Sequence, residues 1–511
     1  MALSVSSDRL RAIGSLWSLI RVALAVLLVA TVTRAGADPD LWGHVRFGQD
    51  ILAAGAIVKV DPYSFTSDRE WVNHEWLAEV AMALAWNQGG TAGLVALKAL
   101  LLLATLALVG WAAHRERVPS LAVWLLVVLA AVGVVPRATA VRPQLFSLLL
   151  FAAQMVILTE HERRGRRALL LGLPPLYALW VNLHGGWLVG GGVLALWTVG
   201  HVLERRGPRA DRLWLAVVGL LALLATLANP YGLGMWRFLA DTVGFGRTHI
   251  ADWQPVWTSA ALLVPWTAVA TACVAGLVAG WRTVPRTHFL TVILLGTAAA
   301  RVSRIDAFFA LAVAMLLAPS LSSVFARLLE RLPSQRVPRD QVLGRVIITG
   351  VVAAALLVSG ARFVRANASC LEFGDPATAP EPEAVAFIRM HSIRGRVLTY
   401  YNYGEYAIWH LAPDVKVSMD GRRETVYSDA VVDAHTRFYA DPPSQAAYPD
   451  AIGAEWVWLP NAFRADPALG RHGWRRVFEG PVSSIWSRVS LPHRSSSSRP
   501  LTSGRRCFPG L

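Results

Sequence analysis

Residues 38–46 read DPDLWGHVR and directly follow the first apolar run of the chain, near 15–34. Two carboxylates, an indole, an imidazole and a guanidinium thus come together where a hydrophobic segment ends. A carboxylate at such a place often caps a helix, and Asp38 is the better placed of the two to cap one that begins at Leu41. That leaves Asp40 at the boundary of membrane and water, where a lipid-linked substrate presents its head group.

The composition around this motif is that of a membrane protein. Of the 511 residues, 54% are hydrophobic and 16% are charged, whereas about a quarter of the residues of a soluble protein are charged. We predict a polytopic α-helical membrane protein of about eleven transmembrane helices, each needing roughly 20 residues, which excludes a soluble enzyme. The predicted spans lie near 15–34, 91–113, 119–136, 143–159, 168–183, 186–203, 212–229, 260–280, 287–300, 305–325 and 342–361.

The basic residues report topology. The net charge is +15, and since only three of the 49 basic residues are lysines, 46 are arginines, many of them in short clusters between apolar runs. With the N-terminus in the cytoplasm, every such cluster falls in a cytoplasmic loop, as the positive-inside rule requires. This distribution argues against a nucleic-acid partner. It also predicts that residues 365–511 lie on the outer side of the membrane.

The predicted domains follow from these spans. Residues 1–364 form the transmembrane domain, whose first extracytoplasmic loop, 35–90, carries two helices that lie on the membrane surface. Strand-like and helical runs alternate over 365–490, which predicts an extracytoplasmic α/β domain. Residues 491–511, rich in serine and arginine, are expected to be a disordered tail. The three cysteines show neither metal-ligand spacing nor a disulfide framework.

This organisation resembles that of the GT-C superfamily of membrane glycosyltransferases, which use polyprenyl-phosphate-linked sugars. In the oligosaccharyltransferase catalytic subunit the motif runs Asp-Pro-Tyr-Phe-Asn-Tyr-Arg; here Asp40, Trp42, His44 and Arg46 occupy its acidic, aromatic, polar and basic positions at the same spacing. The chain is also similar to bacterial membrane proteins that share the segments DPDLW, VNHEWL and LHGG. The motifs cover about forty residues and do not fix the substrate.

The resemblance implies an activity, partners and a location, the plasma (inner) membrane of a bacterium. It implies that Asp40 is the catalytic carboxylate, with Asp38 as the fallback, and that a polyprenyl-phosphate-linked sugar donor in the lipid bilayer gives its sugar to an extracytoplasmic acceptor. His44 joins the catalytic candidates, and Arg46 joins the residues that bind substrate. Metal dependence stays open, with a divalent cation such as Mg²⁺ or Mn²⁺ as the candidate cofactor.

A second polar cluster, VNHEWL, occupies residues 72–77. His74 and Glu75 could bind a divalent metal or relay a proton. Alternatively, Asn73 caps the following helix and Glu75 only favours its positive end. The cluster lacks the second histidine of a zinc-protease helix, which argues against a protease.

Three basic residues are candidates for binding the donor phosphate. Lys98 lies inside the second span, where a charge costs about 2.5 to 3.5 kcal/mol, so it should face a cavity or a phosphate unless it snorkels to the outer head groups. Arg301 and Arg304, with Asp306, open the tenth span from the outside. They either bind a lipid diphosphate or pair with one another and with head groups.

The outer domain contains a segment, YYNYGEY at 400–406, that is loosely similar to the acceptor-reading Trp-Trp-Asp-Tyr-Gly element of oligosaccharyltransferases. Tyr403 and Glu405 are therefore candidates for binding substrate on an aromatic platform. The alternative is ordinary core packing of a strand, a turn and a helix. Further along, DGRR at 420–423 predicts a turn with an exposed basic pair, which could also bind an acidic acceptor.

Three functions are weighed against one another. The first is an inverting glycosyltransferase in which Asp40 takes the acceptor proton or orients a metal, and basic groups neutralise the leaving phosphate. The second is a non-enzymatic envelope protein of the same fold that binds a partner through its outer domain. The third is a lipid or solute transporter. A transporter is disfavoured because the polar residues crowd one end of the spans and do not break matched spans near their middles.

Overall fold

The structure is a computed structural model. It describes residues 22–34, 36–204, 208–243, 253–330, 346–347, 349–351, 353–358, 360–361, 370–373, 378–488 and 506–510. The chain divides into two compact units. We call them the helical unit, Met1–Arg34, Val95–Asn229 and Gly246–Ala366, and the mixed unit, Ala35–Leu94, Pro230–Phe245 and Asn367–Leu511. The first loop, which the sequence analysis grouped with the transmembrane domain, is thus part of the same unit as the C-terminal residues.

Apolar helices make up the helical unit. Their bounds are Val22–Val32, the later part of Trp76–Arg115, Ser120–Val134, Gln144–Arg164, Leu173–Trp180, Trp187–Leu203, Arg209–Ala225, Ala260–Ala279, Arg286–Arg301, Asp306–Leu316 and Ala318–Glu330. The long Trp76–Arg115 helix is interrupted at Gly90, whose φ of +56° suits a residue without a side chain. The described residues of the predicted spans are thus mainly helical.

The number of spans is smaller when length is required as well as apolarity. Within the described residues, four helices pass both tests, and a fifth span results if the pair Ser303–Leu316 and Ala318–Leu328, bent by 77°, is counted as one. The count of eleven is therefore not confirmed. The bend falls within the run predicted as one span at 305–325, because Pro319 is tolerated in the first turn of a helix but not in its interior.

Ion pairs hold several loops of the helical unit together at one end. Arg115 lies 3.4 Å from Glu160, and His288 Nε2 lies 2.9 Å from Glu162. A further pair joins Arg167 to Asp211. These are loops and helix ends that the arginine distribution assigned to the cytoplasmic side.

The segments assigned to the other side are joined by hydrogen bonds to backbone carbonyl oxygens. Asn182 Nδ2 donates to Ala228 O at 2.8 Å, and the backbone N–H of Ser303 donates to Gln254 O at 3.1 Å. Sorting loops by charge therefore gives groups that also adjoin in space.

The mixed unit is built on a five-stranded sheet. Its strands, with the two that form a separate pair, are β1 Leu371–Glu372, β2 Gly395–Thr399, β3 Val415–Val417, β4 Trp456–Pro460, β5 Arg475–Glu479, β6 Ser483–Ser487 and β7 Cys507–Phe508. The order in the sheet is β3-β2-β4-β6-β5; β2 is parallel to β3 and β4, and β6 is antiparallel to β4 and β5. The helices of the unit are Leu41–Ala54, Leu233–Val243, Pro382–Met390, Tyr401–Leu411, Asp429–Ala440, Tyr448–Ala451 and Asp466–Arg471. The predicted α/β architecture is present.

The first loop extends this sheet beyond β3. The N–H of Phe65 donates to Val417 O at 3.1 Å, and the N–H of Val417 donates to Tyr63 O at 3.0 Å. The Leu41–Ala54 helix packs on the Tyr401–Leu411 helix. The residues after the first apolar run are therefore fixed against the C-terminal residues.

The cysteine and tail predictions need correction. Cys370 and Cys507 form a disulfide beside the β1–β7 pair, although the spacing of the cysteines indicated none. The 137 residues between them explain why the sequence carried no signal. Disorder over 491–511 is wrong for Arg506–Gly510, which the structure places in β7 and the turn after it, while 489–505 lie outside the described residues.

Candidate functional site

The two aspartates of the DPD segment differ in what their side chains do. Asp38 is buried, and its Oδ1 accepts a hydrogen bond from the N–H of Asp40 at 2.9 Å, which closes the turn before the helix. Asp40 precedes Leu41, the first helical residue, but its half-buried side chain makes no capping hydrogen bond. The Asp40 carboxylate is thus not used to start the helix.

Glu405 reaches the same helix from the C-terminal part of the chain. Its Oε2 accepts from the N–H of Gly43 at 3.0 Å, in the first turn, where helix N–H groups have no partner within the helix. Glu405 is only 3% exposed. Burial and the nearby charges of Asp40 and Asp420 raise its pKa well above the usual range, although Arg422 acts in the opposite direction. Burial and the neighbouring carboxylates thus favour the neutral form of Glu405.

The Asp40 and Glu405 carboxyl groups meet over Gly421. A Cβ atom added there would lie 2.1 Å from Asp40 Oδ1 and 2.9 Å from Glu405 Oε1. Both oxygens therefore border the same small space beside Gly421. Two carboxyl groups are thus neighbours at the start of the helix.

Arg422 is a functional candidate whose placement the sequence analysis got wrong. Instead of standing in an exposed basic pair, it is 8% exposed and binds two carboxylates. Its Nη1 and Nη2 bond to Asp61 at 2.8 and 3.0 Å, and its Nε and Nη2 bond to Asp420 at 2.9 and 2.6 Å. Its Cζ also lies 4.8 to 5.2 Å from the ring centroids of Phe47, Tyr63 and Trp71. A buried arginine with two partners is committed to them and is not open to an acidic acceptor.

His44 and Glu79 form a second polar group beside the motif. His44 Nδ1 lies 3.4 Å from Glu79 Oε1, and Asn73 Nδ2 donates to Glu79 Oε2 at 2.5 Å. Burial by itself lowers the pKa of His44, but the hydrogen bond to Glu79 and the charges of Glu75, Glu79 and Asp40 outweigh it and raise the pKa to about 9. His44 is therefore cationic at neutral pH.

Residues 73–75 show the capping geometry that was one of the two interpretations. Asn73 Oδ1 accepts from the N–H of Glu75 at 3.2 Å, just before the helix that begins at Trp76. His74 Nε2 lies 3.4 Å from Glu75 Oε1. Burial lowers the pKa of His74, but the charge and hydrogen bond of Glu75 outweigh it, and the pKa is raised. A proton relay through His74 and Glu75 stays a prediction.

The described residues do not fit a metal ion. Among them, no group of three or more histidine, cysteine or acidic side chains has the arrangement that would hold one. At the DPD segment, Asp420 is taken up by Arg422, and Glu405 by the N–H of Gly43. The mechanism proposed for Asp40 therefore uses no metal ion.

Two of the predicted substrate-binding residues are occupied by the fold itself. Arg46 Nε bonds to both carboxylate oxygens of Asp50, at 3.1 and 2.9 Å, one turn along the same helix. Tyr403 is fully buried, and its ring centroid lies 5.7 Å from that of Trp458. For Tyr403 the structure shows the core-packing alternative.

The basic candidates Lys98, Arg301 and Arg304 belong to the helical unit. Lys98 is fully buried and does not snorkel; its Nζ donates to the carbonyl oxygens of Arg34 and Thr139, the latter at 2.9 Å. Arg301 is exposed. Arg304 lies with its Cζ 5.8 Å from the Trp253 ring centroid, and its Nε has no hydrogen-bond partner among the described residues.

Comparison with known proteins bears on the fold. No protein-family model matches the sequence, and no curated protein is significantly similar to it. Among solved structures, the archaeal oligosaccharyltransferase AglB from Archaeoglobus fulgidus, in complex with an inhibitory peptide and a dolichol-phosphate, has a TM-score of 0.57 and 13% identity, over 90% of this chain and 72% of that one. ArnT from Cupriavidus metallidurans bound to undecaprenyl phosphate has a TM-score of 0.58 and 13% identity, over 93% and 98% of the two chains. Both are GT-C superfamily membrane glycosyltransferases. The chain has the GT-C fold.

The apo structure of ArnT agrees, with a TM-score of 0.54 and 14% identity over 94% of this chain and 98% of that one. The resemblance that residues 38–46 suggested is therefore confirmed as a fold. At this level of identity the comparison carries the fold alone. In this chain the first loop and the C-terminal residues together supply the polar cluster around Asp40, whereas the sequence named Asp40 and Glu405 separately and did not bring them together. Asp61 was missed, and the turn with Asp420 and Arg422 was expected to be exposed, because polar residues in a short turn need no function.

Proposed function

We propose that this GT-C-fold protein is a membrane glycosyltransferase that moves a sugar from a polyprenyl-phosphate carrier to an extracytoplasmic acceptor. The observation that carries the proposal is the state of Asp40. Its carboxylate is half-buried, makes no capping hydrogen bond, and lies near Glu405, whose pKa is raised by burial and by neighbouring carboxylates. The lipid phosphates in the AglB and ArnT structures support a lipid-linked donor.

The chemistry follows from one base and one leaving group. Asp40 accepts the proton of the acceptor group as the bond from the acceptor atom to the anomeric carbon forms. The bond from that carbon to the phosphate oxygen breaks, and the polyprenyl phosphate leaves with the electron pair. General-base help of this kind contributes about 10²- to 10⁴-fold. We propose that Lys98, Arg301 and Arg304 offset the charge of the leaving phosphate.

The location completes the proposal. We place the protein in the inner membrane of a bacterium with the mixed unit on the outer side, where a lipid-linked sugar and an envelope acceptor meet. The arginine clusters support this, because the positive-inside rule predicts that they lie on the cytoplasmic side.

Asp40→Asn tests the base directly. Purified protein in lipid nanodiscs is given a panel of polyprenyl-phosphate hexoses and pentoses together with an envelope extract as acceptor, and release of polyprenyl phosphate is measured. We expect Asp40→Asn to lower release at least about 100-fold with little loss of folded protein. The matched variant Asp38→Asn should keep transfer but lose about 1 kcal/mol of stability, because the buried Asp38 carboxylate accepts the hydrogen bond that closes the turn before the helix. The expected helix cap by Asp38 is not what the structure shows.

The result has two informative alternatives. Full transfer in Asp40→Asn would remove Asp40 as the base. If the wild-type protein releases no carrier from any donor, and both variants keep the phenotype of the wild-type gene in cells, a non-enzymatic role as an envelope-binding protein becomes the better explanation.

A further inference from the structure

Glu405 has no part in the chemistry proposed above, yet it lies against the residue that does. We propose that Glu405 is a positioning residue: a neutral carboxylic acid that shares one proton with Asp40 and so orients Asp40 as the ionised member of the pair. The catalytic consequence rests on the proposed function of Asp40. The shared proton itself does not, and it can be tested without any substrate.

The two oxygens of Glu405 have different surroundings. Oε2 accepts from the N–H of Gly43 at 3.0 Å and is held there. Oε1 faces the space over Gly421 that Asp40 Oδ1 also faces. A carboxylic acid fits this arrangement, since its carbonyl oxygen accepts from the backbone while its hydroxyl donates to the aspartate.

The charges around the pair exclude two ionised carboxylates. The groups that face Glu405 are Asp40, Asp38, Asp420 and Arg422. The single positive charge of Arg422 is already matched by Asp420 and by Asp61. The buried Glu405 is thus faced by three carboxylates and by a guanidinium that is paired elsewhere, an arrangement that favours retention of one proton. Burial raises the pKa of Glu405, which favours that residue as the holder of the proton.

His44 favours ionisation of Asp40, the other member of the pair. It lies one helical turn after Asp40 and interacts electrostatically with it, and it is cationic because its pKa is raised to about 9. The cation His44 lies near Asp40, whereas Arg422, the cation that faces Glu405, is already paired with Asp420 and Asp61. This difference makes Asp40 the base and Glu405 the acid of the pair. Their titration nevertheless belongs to the pair and not to either residue.

Gly421 and Gly43 have no side chain, which leaves room for the carboxyl groups of Asp40 and Glu405 beside the backbone. A Cβ at Gly421 would lie 2.1 Å from Asp40 Oδ1, and a Cβ at Gly43 would lie 2.2 Å from Glu405 Oε2. Real atoms do not approach so closely, so a side chain at either position would displace a carboxyl group. The variant Gly421→Ala therefore disturbs the pair while leaving every titratable group in place.

Infrared difference spectroscopy on the full-length protein in nanodiscs tests the proton. At neutral pH we expect the wild-type spectrum minus that of Glu405→Gln to contain the C=O stretch of a protonated carboxyl group. The same band should move in frequency in Asp40→Asn and in Gly421→Ala, since both change what the hydroxyl donates to. The control Glu479→Gln removes a carboxylate that is 58% exposed and should give no such band.

The pH dependence of stability gives a second readout. Unfolded, Glu405 ionises above its ordinary pKa of 4.5, whereas in the folded protein it keeps its proton. Wild-type stability should therefore fall as the pH rises above that value, relative to Glu405→Gln, which lacks this titration. The unfolding midpoint of the wild type minus that of Glu405→Gln should therefore decrease as the pH rises. Between Glu479→Gln and wild type the difference should stay constant.

The outcomes separate this proposal from the proposed function. Absence of the band together with a constant stability difference would mean that Glu405 is ionised. A band at the same frequency in the wild type, in Asp40→Asn and in Gly421→Ala would mean that the proton is not shared with Asp40. Either result overturns the proposal. If Glu405→Gln does not fold, the wild-type band and its response to Gly421→Ala decide. A band that behaves as expected in a protein without transfer activity would uphold the pair and reject the glycosyltransferase.

Discussion

The guanidinium of Arg422 joins the first loop to the C-terminal part of the mixed unit through one side chain. Asp61 comes from the loop and Asp420 from the turn after β3, and both carboxylates bind the guanidinium at 2.6 to 3.0 Å. Burial alone would lower the pKa of Arg422, but the two carboxylates outweigh it and raise it well above the usual range. The charge is therefore permanent, and its removal leaves two buried carboxylates without their cation.

We expect Arg422→Met to destabilise the mixed unit by about 3 to 5 kcal/mol, the usual cost of removing one partner from a buried ion pair. Thermal unfolding followed by circular dichroism measures it. The matched control is Arg394→Met, because Arg394 is 72% exposed and lies 3.6 Å from Asp414; that change should cost less than about 1 kcal/mol. Equal, small effects of both variants would show that the Arg422 cluster is not a support of the fold.

Among the elements, the short strand β7 stabilises the helix that carries Asp40. The Trp42 Nε1–H donates to Pro509 O at 2.9 Å, and the Trp42 ring stacks on Phe373 with centroids 5.0 Å apart. The Cys370–Cys507 disulfide ties together the segments that supply Phe373 and Pro509. The position of Trp42, and with it that of Asp40 two residues earlier, thus depends on a disulfide distant from both in sequence.

We expect Cys507→Ser to lower the stability of the mixed unit by about 2 to 4 kcal/mol, as removal of a disulfide usually does, and to lower sugar transfer as well. A reductant should bring the wild-type unfolding midpoint down to that of Cys507→Ser. It should leave Cys507→Ser itself unchanged, which makes the variant its own control. A wild-type midpoint that does not respond to reduction would contradict the role given to β7.

For the whole molecule, the decisive question is which side of the membrane holds the mixed unit. Ion pairs gather the arginine-bearing loops of the helical unit at one end. Independently of charge, a disulfide in the mixed unit indicates an oxidising compartment, because cytoplasmic thiols are kept reduced. The disulfide favours the outer side for the mixed unit, which is also the side that the arginine distribution predicts.

Reporter fusions test this orientation. Alkaline phosphatase is active only outside the cytoplasm, so a fusion after Ala366 should be active and one after Gly165 inactive. A β-lactamase or fluorescent reporter at the same two positions controls for expression. A well-expressed but inactive fusion after Ala366 would reverse the predicted orientation and move Asp40 away from any extracytoplasmic acceptor.

The sequence by itself determined the features that are encoded locally. Apolar runs predict helices, arginine clusters sort the loops, and the spacing of Asp40, Trp42, His44 and Arg46 indicated the GT-C fold, because each signal is read within a few residues. The turn at Asp38 and the helix start at Leu41 follow from the same short stretch.

Only the tertiary structure decided what surrounds Asp40. Glu405 reaches Gly43 across 362 positions, Arg422 reaches Asp61 across 361, and Cys507 reaches Cys370 across 137. No local periodicity records such pairs, since they form only where the fold brings distant segments of the chain together. Burial then affects their chemistry. The same glutamate would be an ordinary ionised side chain in water, but its neutral form is favoured where the fold removes water and places other carboxylates around it.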